Sequence, residues 1–178
     1  MPNTFELIAS STVGSGGASS IDFTSIPSTY TDLCLKFSGR SSAADVQQSM
    51  GYNFNGSTSG YTARTLLNYQ GTVYSTSMTT LTIGGTVYGR LDDSGLVAAN
   101  STASTFSNGE LYIPNYAGST NKSWSWDIVA ENNSTAATGL LVAGLWSNTA
   151  AINSIKLIPN VGSFVQYSTA YLYGVKNA

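Results

Sequence analysis

Along most of this chain hydrophobic and polar residues alternate one for one. Residues 19–42, SSIDFTSIPSTYTDLCLKFSGRSS, show it most clearly. Ile21, Phe23 and Ser25 point one way and Asp22, Thr24 and Ile26 the other. Pro27, which has no N–H to give to a ladder, stops the run. After the turn residues Ser28 and Thr29 and then Tyr30, Leu33, Leu35 and Phe37 share one face, with Cys34, Lys36 and Ser38 on the other. A period of two marks a half-buried strand. The stretch therefore reads as two strands joined by a tight corner. Pro27, Tyr30 and Asp32 are its corner-formers, with Tyr30 and Asp32 expected to hydrogen-bond back across the turn.

The same reading extends to both ends. Residues 5–9 make a first strand, and residues 13–20 (VGSGGASS) a flexible loop or arm. Residues 43–49 (AADVQQS) read as one helical turn or a loop, the one stretch where helix would fit. Residues 50–55 alternate up to the Asn55-Gly56 turn signal. Residues 61–74 are extended, with a break near Gln70-Gly71, and residues 79–87 are a strand bent at Gly84-Gly85. Asp92-Asp93-Ser94-Gly95 is a loop. Residues 105–113 end in a strand stopped by Pro114. Residues 123–131 place Trp124, Trp126 and Ile128 on one face. The apolar run 139–146 is a central strand, 152–158 stops at Pro159, and 171–176 is the last strand. About ten short strands separated by Gly, Pro and Asn predict an all-β fold: a single antiparallel β-sandwich, jelly-roll-like, with little or no helix. No composition break divides residues 1–178, so one domain is expected, with residues 1–18 as an N-terminal strand or arm.

Composition changes this picture in one respect. Of 178 residues, 42% are hydrophobic but only 9% are charged, against a usual charged share of about 25%. Ser, Thr and Asn fill the gap, so the polar surface is hydroxyl and amide. The net charge is −2, and Arg40, Arg64 and Arg90 are as scattered as Lys36, Lys122, Lys156 and Lys176. Phosphate-backbone binding needs several cations on one face, so no nucleic-acid partner is expected. The apolar run 139–146 is far short of the ~20 residues of a membrane-spanning helix, so no membrane partner is expected either. The opening MPNTFELIASS lacks the basic and apolar regions of a secretory leader, which predicts synthesis in the cytosol.

Candidate chemistry is sparse. There is no histidine and one cysteine, Cys34, which removes the usual serine triad, thiolate clusters and most zinc sites. Cys34 reads as a small buried hydrophobe. Glu110, Asp127 and Glu131 are the only carboxylates placed to form a glycosidase-like pair, which needs two acids about 5 to 9 Å apart across a groove. The Asp92-Asp93-Ser94-Gly95 loop lacks the spaced acids of a calcium loop. Gly14-Ser15-Gly16-Gly17 lacks the Lys-Ser/Thr and the helix of a phosphate loop. No catalytic residue, metal or cofactor is expected.

The most specific text is again 19–42. Ile26-Pro27, Thr29-Tyr30-Thr31-Asp32-Leu33 and Ser38-Gly39-Arg40 follow a pattern, roughly SSIxFTSIPxTYTDLxLxxSxRS, that resembles β-sandwich virion structural proteins of tailed bacteriophages, notably cyanobacterial phages. Residues 152–159 (INSIKLIP), Phe164 and residues 168–175 (STAYLYGV) are similar to that family's C-terminal pattern, and Phe54-Asn55-Gly56 and Tyr61 also fall in place. Residues 85–140 match poorly. The resemblance implies a non-enzymatic capsid decoration (cement) protein on the outer capsid surface of the virion. Its partners would be the major capsid protein and further copies of itself, as a homotrimer. Phe5, Leu7, Val13, Gly14, Gly16 and Gly17 would form a capsid-contacting arm. The alternative is a tail or fibre appendage module binding host-surface glycan, for which Trp124, Trp126, Tyr112 and Tyr116 would be the exposed stacking residues.

Overall fold

The computed structural model describes residues 4–78, 80–91, 94–133 and 136–176. Among them are fifteen strands, more than the ten or so expected, and no helix. In chain order they are β1 (Phe5–Thr12), β2 (Ile21–Phe23), β3 (Asp32–Gly39), β4 (Gln47–Gln48), β5 (Met50–Phe54), β6 (Tyr61–Tyr69), β7 (Thr72–Met78), β8 (Thr80–Ile83), β9 (Thr86–Arg90), β10 (Leu96–Val97), β11 (Ser107–Ile113), β12 (Lys122–Ala130), β13 (Thr138–Trp146), β14 (Ile155–Pro159) and β15 (Thr169–Val175). An eight-stranded sheet runs β1-β15-β3-β11-β12-β13-β6-β7. A five-stranded sheet runs β2-β14-β5-β9-β8, and β10 and β4 make a small ribbon. Every strand pairing within these sheets is antiparallel. The protein is an all-β antiparallel sandwich.

Alternation decides which side of each strand is buried. In β12, Lys122, Trp124, Trp126, Ile128 and Ala130 are buried and the residues between them are exposed. The two large sheets meet through aromatic side chains. Tyr52 of β5 stands edge-on to Trp124 at 5.0 Å and Phe54 to Trp146 at 5.6 Å, and Phe37 of β3 meets Phe164, from the segment between β14 and β15, at 5.7 Å, the geometry that ring quadrupoles favour. Gly144, opposite Trp124 on β13, leaves the space its indole fills, where a Cβ would collide. One continuous hydrophobic cluster, from Val13 to Leu172, joins both sheets.

The two stretches that resemble the phage proteins are neighbours in space. β3 lies beside β15 with Leu35 opposite Leu172, and β2 lies beside β14 with Phe23 opposite Ile155. The corner of residues 24–31 joins two strands, as expected, but these strands belong to different sheets. It carries the chain from the five-stranded sheet to the eight-stranded one. Strand periodicity reports which side of a strand is buried, but not which sheet the strand joins.

Four other expectations change. Residues 43–49 form no helical turn: Asp45 ties down Val46 N at 2.7 Å and Gln48 Nε2 at 2.9 Å, and the chain runs straight into β4. Residues 61–74 hold most of a hairpin, β6 and β7, joined at Gln70-Gly71, where both residues have positive φ (53° and 80°). Gly84-Gly85 likewise turns β8 back on β9, so it is a hairpin turn where a bend was expected. Residues 13–17 are docked, not a free arm. Val13 is buried and its N–H donates to Ser168 O at 2.8 Å, while Gly17 N closes a turn onto Gly14 O at 3.1 Å. Asp92 and Asp93 lie outside the described residues.

Candidate interaction surface

The outward face of the eight-stranded sheet is uncovered by the five-stranded one. Its residues fall in rows that can be read across the strands from the register. The middle row runs Ser10, Tyr171, Lys36, Glu110, Asp127, Leu141, Leu66, Ser75. The next row on one side runs Leu7, Tyr173, Cys34, Tyr112, Ser125, Ala143, Arg64, Ser77. On the other it runs Thr12, Thr169, Ser38, Asn108, Val129, Gly139, Asn68, Val73.

The half formed by β1, β15, β3 and β11 ties up its polar groups. Lys36 is ion-paired with Glu110. Asp32 accepts from Tyr112 Oη at 2.6 Å and from Asn115 N at 2.8 Å. The bond to Asp32 is the main reason the Tyr112 phenol is pushed up to about 12. Tyr30 Oη donates to Glu6 Oε2 at 3.1 Å, Lys176 Nζ reaches the same carboxylate at 2.9 Å and also lies 5.2 Å over the Tyr30 ring. The lysine bond first, and Tyr30 second, hold the Glu6 carboxyl below its ordinary range, and Glu6 raises Lys176 in turn. Tyr30 and Asp32 are thus scaffold, but their bonds go to other strands and loops and not across their own turn. Pro27 O accepts from the buried Tyr116 hydroxyl, which clamps the corner from the loop after β11. Cys34 is buried as expected, and that burial raises its thiol pKa.

Arg40, next to this half, is the residue sequence reasoning missed. Only 8% exposed, it has no acidic partner among the described residues. Its guanidinium donates to Thr102 O, Thr105 O, Ala99 O and Ser101 O at 2.8 to 3.1 Å, caging the loop of residues 99–105. Burial lowers its pKa, yet a guanidinium stays charged in a protein. Lys122 does the same for the loop after β11, donating to Gly118 O at 2.6 Å, to Thr120 O and to Thr149 O. Main-chain acceptors leave no side-chain signature in a sequence.

The other half of the face, on β12, β13, β6 and β7, has little such pinning. Leu66, Val73, Val129 and Leu141 stand together here, each 51 to 64% exposed. Shallow depressions between them are lined by Arg64, Ser125, Asp127 and Asn68. An exposed apolar cluster rimmed by polar groups is a surface suited to burial against another macromolecule. The apolar run 139–146 hid this arrangement: it reads as buried on both sides, whereas Leu140, Val142 and Trp146 face the core and Leu141 faces out.

The remaining candidates divide. Glu110 and Asp127 are direct cross-strand neighbours, but both lie on the sheet face and Glu110 is held by Lys36. Glu131 lies beyond the end of β12, and its carboxylate accepts from Asn133 N at 2.7 Å. Trp124, Trp126 and Tyr116 are buried in the core, so of the four expected stacking residues only Tyr112 reaches the outer surface. Phe5 and Leu7 are half exposed on β1, Val13 is buried, and Gly14 and Gly16 sit in the exposed turn that Gly17 completes with φ of 72°. Among the described residues no three or more acidic, cysteine or histidine side chains gather as a metal site would need. Comparison with protein-family models, curated proteins and solved structures returns no match.

Proposed function

We propose that this chain is a non-enzymatic structural protein of a tailed-phage virion, a capsid decoration protein held on the outer head surface. It works mechanically, bridging major capsid subunits so that the shell resists internal pressure. The observation that carries the reading is the apolar half-face of β12, β13, β6 and β7, where Leu66, Val73, Val129 and Leu141 stand exposed and Arg64 and Asp127 are the charged groups beside them. A broad, nearly flat face of Leu, Val, Ser and Asn suits a repeated protein contact, in which many copies offset a weak individual one. The sequence resemblance of residues 19–42 and 152–175 supports the virion setting, and those residues build the framework that holds the face. On this reading the capsid contact is the sheet face, not an N-terminal arm, because β1 is paired along its length with β15.

The test is an image reconstruction of virions that carry the protein. The expected result is density for this sandwich at regular positions on the outer head shell, its open face turned to neighbouring subunits. Density confined to the tail or fibres would replace the decoration reading with an appendage one. Absence from purified particles would overturn the virion assignment.

A further inference from the structure

The eight-stranded sheet has two edges, β1 and β7. An edge strand presents unpaired N–H and C=O groups that attract another strand, and proteins usually blunt it with a bulge, a charge, a proline or brevity. β1 has such devices: its register shifts between Leu7 and Ala9, and Glu6 carries a charge paired with Lys176. The matching edge of the five-stranded sheet, β2, is three residues long and carries Asp22, ion-paired with Lys156.

β7 has none. Thr72–Met78 (TVYSTSM) is seven residues long, without charge or proline, and pairs with β6 in unbroken register from Tyr69↔Thr72 to Ala63↔Met78. The residues flanking a two-residue hairpin turn form a hydrogen-bonded pair. Thr72, Tyr74, Thr76 and Met78 therefore turn their main-chain groups toward β6. Val73, Ser75 and Ser77 turn theirs outward, and no described strand lies on that side. Val73 on the outer face and Tyr74 on the inner one are both largely exposed, so whatever covers this edge also covers hydrocarbon on both faces.

We propose that the occupant is a second copy of this chain, with β7 pairing antiparallel to β7 about a two-fold axis at Ser75. The strand is its own complement in this register. Val73 meets Ser77 of the second copy, Ser75 meets Ser75, and these three narrow pairs exchange about six main-chain hydrogen bonds. On the inner face Tyr74 stands opposite Thr76 of the second copy, an aromatic and β-branched pairing of the kind that stabilises sheets. With no charge on the strand, the two-fold axis opposes no like charges. The outer row then runs unbroken as Leu141, Leu66, Ser75, and Ser75, Leu66, Leu141 of the second copy, merging two apolar half-faces into one band. This two-fold contact stands in place of the three-fold grouping implied by the resemblance, and it does not depend on the virion assignment.

Sedimentation equilibrium of the full chain tests it. The wild type is expected to be a dimer. Ser75→Lys sets two ammonium groups against each other at the axis and is expected to weaken dimerisation by about 100-fold or more, leaving the circular dichroism spectrum unchanged. Ser75→Pro removes an N–H that points away from β6, so it too should yield a folded monomer; it serves if the lysine variant fails to fold. Leu7→Lys, on the guarded edge, should leave the dimer intact. A monomeric or trimeric wild type, or a folded Ser75→Lys protein that still dimerises, would overturn the proposal.

Discussion

The two ends of the eight-stranded sheet are built from the same strand geometry and differ in how their polar groups are used. At the β1, β15, β3 end, Glu6, Lys176, Tyr30, Asp32, Tyr112, Lys36 and Glu110 are all engaged with one another, and Arg40 is caged nearby. At the β12, β13, β6, β7 end, leucines and valines stand exposed beside serines and threonines, and one strand edge is open. The first end uses hydrogen bonds and ion pairs to define one chain's shape. The second leaves apolar side chains and a strand edge exposed. On the proposed role, stability and assembly fall to different ends of a single sheet, and substitutions should separate them.

The largest effect is expected at Arg40. Arg40→Met removes the donor to four main-chain carbonyls, of which that of Ser101 is buried, and a buried unsatisfied group costs about 1–3 kcal/mol. After relaxation of the loop we expect a net loss of about 3 kcal/mol, read from denaturant unfolding, and freer proteolysis within residues 99–105. A loss under about 1 kcal/mol would mean the guarded end is not held this way.

Next comes Tyr112→Phe, which removes the bond to Asp32 and should cost about 1 kcal/mol. Because folding raises the Tyr112 pKa to about 12 from an ordinary value near 10, this stabilisation is complete below about pH 10. It fades as pH rises through about 12. The difference in melting temperature between wild type and variant should therefore be present at pH 8 and shrink over that window.

On the open half, Leu141→Gln should change folding stability by no more than about 0.5 kcal/mol, as surface substitutions usually do, while the proposed decoration role expects it to abolish head binding. A destabilisation like that of Arg40→Met would erase the distinction between the two ends. The smallest effect is expected for Glu6→Gln. Folding lowers the Glu6 pKa, so its contribution is present above the ordinary carboxylate range and is lost as pH falls through the lowered value. Wild type and variant should differ slightly in melting temperature at neutral pH and converge at acid pH.

How much of this was legible follows from what each signal encodes. The half-buried strands β3, β12 and β15 announce themselves, because alternation in sequence is alternation of faces. Cys34 and the corner residues Pro27, Tyr30 and Asp32 were identifiable as scaffold by residue type. The partners of Tyr30 and Asp32 were not, since Glu6, Tyr112 and Asn115 come from elements distant in sequence. The β6–β7 hairpin was blurred because Gln70, an unusual residue at positive φ, replaces the Asn or Gly that normally marks such a turn. The open face was hidden for a different reason. Leu141 and Leu66 look like core residues, and only the sheet order shows that no described strand lies above them.

The order β1-β15-β3 also bears on when the protein can fold. The last strand of the chain sits between the first and the third, pairing with both along their lengths. During synthesis β1 has no neighbour and β3 lacks one of its two until residues 169–175 have emerged from the ribosome. Closure of the sheet is therefore a late event that joins segments more than a hundred residues apart, the kind of distant pairing that makes folding slow. Until it happens, the growing chain exposes β3 as a second open strand edge, and a nascent chain stalled before residue 169 would have both strands free to pair with the wrong partner.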